Sequence, residues 1–173
     1  MDVAGQVAAG GGSVSIDANY AGKIWPNRLE ALAVIEQYLS QERSGGLSLA
    51  KFSDVDFHRL FGEEVKERES AVQRIHDLGA DVVCLTLGQD GCCVSHGTSF
   101  LSLPTRPVAV QDTTGAGDAF WSGFLAAYQQ QYGWEDCARA GRGVAERKLV
   151  TVGPMHDPLS LKEVIESGRD GEV

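Results

Sequence analysis

A chain of 173 residues, 43% hydrophobic and with a formal charge of -9, has enough apolar surface for one α/β core and too little length for two full domains. The acidic balance excludes a broad nucleic-acid or anionic-membrane surface, which needs clustered Lys and Arg, so any phosphate must be gripped locally. The cysteines, with no CxxC pair and with Cys92 next to Cys93, fit reduced thiols in the cytoplasm, and neither a secretory leader nor a bilayer-length apolar run is expected.

Asp2 to Ala9 reads as the last turns of a helix stopped by Gly10-Gly11-Gly12, with a β-rich run Ser13–Asp17 following at once. Starting inside a helix predicts that the fold is truncated at its N-terminus. Pro26 suits the first position of a helix whose apolar residues Leu29, Leu32, Ile35 and Leu39 recur at helical spacing. Leu47–Phe52 reads as a strand, Ser53-Asp54 as the cap of a short helix through Phe61, and Glu63–Leu78 as a one-faced helix closed by Gly79. Asp81–Leu87 is a near-continuous apolar strand of the kind a covered sheet contains. Gly91–Ser95 and Ser99–Leu103 flank His96-Gly97-Thr98 as an antiparallel hairpin. After Val108-Ala109-Val110 a loop leads into a helix over about Asp118–Gln131, and Trp134–Arg147 and Leu161–Glu166 supply two more. The alternation predicts an α/β fold over residues 1–167 with a doubly wound, largely parallel sheet and flanking helices, followed by a frayed tail over 168–173.

Asp112-Thr113-Thr114-Gly115-Ala116-Gly117-Asp118 places two glycines and two carboxylates on a strand-to-helix turn. The first N–H groups of a helix lack intrahelical acceptors and carry the positive end of its dipole, so Gly115, Ala116 and Gly117 can cradle an anion in an acidic chain. Asp118 can take a proton from a hydroxyl beside that cradle. Alone, the four residues Gly115–Asp118 are read equally well as a capped helix start.

The run DTTGAGDAFWSGF from Asp112 resembles the second signature of the ribokinase-type (PfkB) carbohydrate kinases. The resemblance implies that Asp118 is the base activating the acceptor hydroxyl, with Gly115, Ala116 and Gly117 as the anion hole and Asp112 at a position associated with a monovalent cation such as K+. Thr86, Gly88 and Gly91, in Thr86-Leu87-Gly88-Gln89-Asp90-Gly91, match the turn that packs on the nucleotide; a plain hairpin turn is the simpler reading. Lys51–Asp56 resembles the segment organising magnesium and phosphate, with Ser53 and Asp56 where the family has Asn and Glu; a capped surface helix explains it nearly as well. Asp17 and Asn19, in DANYAGKIWPN, resemble the fructokinase-like D-x-N-x-R pattern with its downstream Trp-Pro and are candidate substrate contacts, although Ala21 stands where the Arg would be, and a strand-end turn is the alternative.

The resemblance runs from about Gly10 to Gly153, covers the later part of the family fold, and implies an ATP- and Mg2+-dependent kinase for a fructose-like or 2-keto-3-deoxygluconate-like sugar, with a homodimer as one family option. A truncated, non-catalytic nucleotide-binding remnant of such a kinase is the second reading. A dinucleotide-binding oxidoreductase is disfavoured because Phe120 replaces the third glycine, and a P-loop kinase because no Gly-Lys-Ser/Thr is present. The histidines His58, His76, His96 and His156 are isolated and form no metal set, and Trp25, Trp121 and Trp134 read as packing anchors.

Overall fold

The computed structural model describes residues 3–169. In chain order these form α1 (Val3–Ala9), β1 (Val14–Asp17), α2 (Arg28–Leu39), β2 (Ser48–Ser53), α3 (Asp54–Phe61), α4 (Arg68–His76), β3 (Val82–Thr86), β4 (Cys92–His96), β5 (Ser99–Leu103), α5 (Ala116–Gln129), α6 (Trp134–Leu149) and α7 (Leu161–Arg169). Asp2, expected in the first helix, and residues 170–173 of the expected tail lie outside the described residues. Gly168 and Arg169, expected to fray, close α7. The described residues divide into two compact units: the chain up to Gly88 with Cys93–Leu101, and Gln89–Cys92 with the chain from Ser102 onward.

The strands form one five-stranded sheet in the order β1-β2-β3-β4-β5. β1 pairs parallel to β2, with Asp17 opposite Lys51, and β2 pairs parallel to β3, with Ser53 opposite Thr86. The two-residue link between β4 and β5 can only join antiparallel neighbours, so the sheet is mixed where a largely parallel one was expected. Two right-handed crossovers stepping the same way along a sheet put their helices on the same face. Accordingly Leu39 of α2, Phe57 and Leu60 of α3 and Ile75 of α4 pack in one cluster with Ala50, Phe52, Val83 and Leu85 of the strands. Each such fully buried Phe, Leu or Ile contributes roughly 1.5–3 kcal/mol of hydrophobic stabilisation. The alternate strand residues Leu49, Val82 and Cys84 are fully buried as well, so β2 and β3 are covered on both faces.

Several boundaries differ from the sequence reading for local reasons. Asn27 caps α2 by accepting from the Glu30 N–H at 3.3 Å, which leaves Pro26 before the cap and Leu29 exposed. Gly62 ends α3 in the left-handed region, and the helix expected from Glu63 starts only at Arg68. Val65 still packs against the core from the intervening coil.

In the second unit Phe120, Phe124 and Ala127 of α5 are buried, and α5 and α6 meet backbone to backbone. A Cβ on Gly123 would lie 2.7 Å from the Ala140 carbonyl, and one on Gly141 would lie 2.8 Å from that of Phe120. Trp134 stacks on Tyr128 and Phe124 at 5.7 and 6.3 Å. The segment from Pro104 to Gln111 is not a strand, so the signature sits on a coil-to-helix turn instead of a strand-to-helix one. Buried Arg142 holds that coil, donating to Pro104 O at 3.0 Å and to Gly168 O of α7 at 2.8 Å.

Candidate active site

The signature loop takes its shape from Gly115, which caps α5 at φ +77°, a left-handed conformation that costs a residue with a Cβ about 1–2 kcal/mol. Gly115 O accepts from the Ala119 N–H at 2.9 Å and Thr113 O from the Ala116 N–H at 3.2 Å. The N–H groups of Gly117 and Asp118 have no acceptor among the described residues. They stand in the first turn of a helix of 14 residues, where the dipole favours negative charge. Asp118 is exposed, and its Oδ2 lies 3.9 Å from where a Cβ on Gly115 would be. The carboxylate therefore turns back over the glycine, beside the open donors.

The other side of the loop is fixed by the end of α6. Leu149 O accepts from the N–H groups of Gln111 and Asp112 at 2.8 and 3.2 Å. Asp112 Oδ1 accepts from the Thr114 N–H at 2.9 Å, and Oδ2 takes the Lys148 ammonium at 3.3 Å. The Thr114 donor and, to a smaller degree, Lys148 hold the Asp112 carboxyl down from 3.8 to about 2. At Asp112, a position expected to associate with a monovalent cation, the charge that faces the carboxylate is the Lys148 ammonium. Lys148 was not singled out in the sequence, because Arg147-Lys148 at a helix end reads as ordinary dipole compensation.

In the first unit, Ser53 and Asp56 form a reciprocal capping box at the start of α3, the surface-helix alternative weighed from sequence. Asp56 Oδ2 accepts from the Ser53 N–H at 2.9 Å and from its hydroxyl at 2.6 Å, and Oδ1 accepts from the Tyr20 N–H at 2.8 Å. This carboxylate is 5% exposed and accepts three hydrogen bonds, which tie the start of α3 to the segment after β1. No group of three His, Cys, Asp or Glu side chains that could hold a metal forms among the described residues. Asp17 grips buried Lys51, both carboxylate oxygens standing 3.0 Å from Nζ. Asn19 adopts φ +35° just beyond β1, a positive φ that Asn tolerates better than most residues. Thr86 ends β3 with its hydroxyl toward Phe52 O at 3.4 Å, and Gly88–Asp90 then makes a single 3-10 turn. Gly91 closes that turn at φ +88°, where a Cβ would lie 2.0 Å from Leu103 O. A short helical turn thus replaces the plain hairpin alternative.

One cluster was missed. A recess of about 790 Å³ is lined by Tyr20, Ala21, Lys23, Arg28, His58 and Arg59 among others. Arg28 donates to Leu60 O and Arg59 to Tyr20 O, each at 3.2 Å. Among the described residues neither arginine nor Lys23 has a carboxylate partner, while His58 Nδ1 stands 3.0 Å from Glu64. Ala21, read as a lost positive charge, thus lines a recess that remains cationic. The signal was scattered over two segments and carried no motif.

Comparison with known proteins bears on what these parts belong to. The model of the pfkB family carbohydrate kinases matches residues 9–159. The chain belongs to the pfkB family of carbohydrate kinases. It is 35% identical over 144 residues to an ATP-dependent 6-phosphofructokinase of Thermoanaerobacterium thermosaccharolyticum, a match covering 83% of this chain and 42% of the relative. It is 32% identical over 137 residues to the 2-dehydro-3-deoxygluconokinase of Escherichia coli, covering 77% of this chain and 42% of that one. Among solved structures, an Escherichia coli chain provisionally described as ribokinase II, in complex with ATP and Mg2+, superposes with a TM-score of 0.78 at 21% identity, covering 98% of this chain and 52% of that one. This pfkB chain therefore spans about half the length of relatives it matches, and its five-stranded mixed sheet with flanking helices is the ribokinase-like fold over that half. No helix among its described residues is long and apolar enough to cross a membrane.

Proposed function

We propose that this pfkB chain carries the nucleotide and base side of an ATP-dependent sugar kinase, transferring the γ-phosphoryl group of magnesium-bound ATP to a sugar hydroxyl. The observation that carries the reading is the Asp118 carboxylate folded back over Gly115 beside the open N–H groups of Gly117 and Asp118. Asp118 accepts the proton of the attacking hydroxyl, and the two N–H groups bind oxygens of the transferred phosphoryl group, whose charge they stabilise. With no carboxylate cluster among the described residues, Mg2+ would enter with the nucleotide and supply charge neutralisation at the phosphates. Thr86, Gly88 and Gly91 form the turn at the end of β3 assigned to the nucleotide.

The cationic recess at Lys23, Arg28 and Arg59 favours an acceptor bearing a carboxylate or phosphate over a neutral hexose, in line with the acidic sugars named for the two relatives. Asp17 and Asn19 are the remaining acceptor candidates, and the buried thiols suit the cytoplasm. The second reading, a nucleotide-binding remnant, is favoured by Ala21 and by the engagement of Asp17 and Asp56 inside the protein. The two separate on ADP formation with magnesium-ATP and 2-keto-3-deoxygluconate, fructose 6-phosphate, fructose or ribose. Turnover with an acidic sugar above that with fructose is expected; a preference for the neutral sugars would remove the acidic-acceptor reading.

A further inference from the structure

The loop that precedes α5 is stapled to the end of α6 by a cation that belongs to the chain. The Lys148 side chain is 10% exposed, a burial lysine rarely accepts unless its charge is matched. Its Nζ is met by two oxygens, Asp112 Oδ2 at 3.3 Å and Thr151 O at 3.0 Å, a carboxylate and a backbone carbonyl of the kind that also coordinate hard cations. Its stem runs under the loop, with Cε 3.7 Å from where a Cβ on Gly115 would sit. The next residue, Leu149, offers its carbonyl to the two N–H groups at the loop's entrance, so charge and backbone act on the same turn. Asp112 Oδ1 accepts from the Thr114 N–H, so the ammonium meets a carboxylate already fixed in place by the loop.

We propose that the Lys148 ammonium stands in for the monovalent cation expected at Asp112, so that this chain shapes its anion loop with a side chain and responds to no added potassium. Lys148 is then a positioning residue, acting through Asp112 and the loop on the donors of Gly117 and Asp118. An ordinary surface ion pair would leave the ammonium hydrated, weak and replaceable by any salt; the burial of Lys148 and its carbonyl ligand distinguish it from one. The inference rests on the loop reading above but is tested without turnover, so that failure of the kinase reading and failure of this one are distinguishable.

The test is thermal unfolding of the full chain and of Lys148→Met, each in potassium chloride and in tetramethylammonium chloride at equal ionic strength. The wild type should melt at the same temperature in both salts. Lys148→Met should melt lower in tetramethylammonium and recover several degrees in potassium, saturably, because the vacated oxygens become an ion site. A saturable potassium-specific rise in the wild type would overturn the proposal. Where Lys148→Met does not fold, Lys148→Gln is read in the same two salts, and absence of potassium recovery in both variants overturns it equally.

Discussion

Asp112 shows how one side chain can serve geometry and charge together. Its carboxylate closes a tight turn onto Thr114 and neutralises Lys148, so the ionised form is the one the fold selects. Because its folded value of about 2 lies below the ordinary 3.8, the stability it contributes is fully present above 3.8 and is lost as pH falls from there through 2. Urea midpoints measured from pH 6 to pH 2 should therefore fall less steeply below pH 3.8 for Asp112→Asn than for the wild type, the variant being weaker at neutral pH; parallel curves would mean the carboxylate is not held in this way. The partners that Asp17 and Asp56 meet, Lys51 and the Tyr20 N–H, were illegible in sequence because they lie 34 and 36 residues away. The signature from Asp112 to Asp118 was legible because loop, open donors and carboxylates are consecutive.

At the scale of elements, local chemistry decided where helices start and stop. The Ser53–Asp56 box was readable as a cap because its bonds span three residues. Removing the hydroxyl in Ser53→Ala should cost about 0.5–2 kcal/mol, seen as a lower urea midpoint with unchanged slope; no change would mean the Asp56 carboxylate alone holds the turn. The Asn27 cap carried an equally local signal, Asn followed by Glu30 at the third position, and the nearby Pro26 obscured it. Nothing local marks the delay of α4 to Arg68, which follows from the left-handed Gly62 and from Val65 reaching the core out of coil. The coil before α5 contains Pro104 and Pro107, which have no N–H for a ladder, and Arg142 ties its start at Pro104 O.

For the molecule as a whole, the apolar strand β3 and the helical stripes made an α/β fold readable, whereas the count of parallel strands depended on how the β4–β5 hairpin joins the sheet. All four cysteines are buried, and desolvation pushes the Cys137 thiol up to about 12. A small aromatic disulfide reagent at neutral pH should react with none of them before unfolding and with all of them in denaturant; a fast-reacting thiol in the native chain would contradict the packing of the strands and of α6. The Asp118 loop belongs to one compact unit and the cationic recess to the other.

The central claim, that Asp118 is the base of a phosphoryl-transfer site, is tested most directly by Asp118→Asn in the full chain, with ATP binding by calorimetry and acceptor-dependent ADP formation measured side by side. Loss of the base should lower turnover by about 10²–10⁴-fold while the affinity for magnesium-ATP stays within a factor of about two, because the N–H donors are backbone groups that the substitution leaves in place. Turnover retained in Asp118→Asn, or a wild-type chain that binds ATP and forms no ADP with any acceptor, would contradict the catalytic account, the latter outcome leaving the nucleotide-binding remnant in its place.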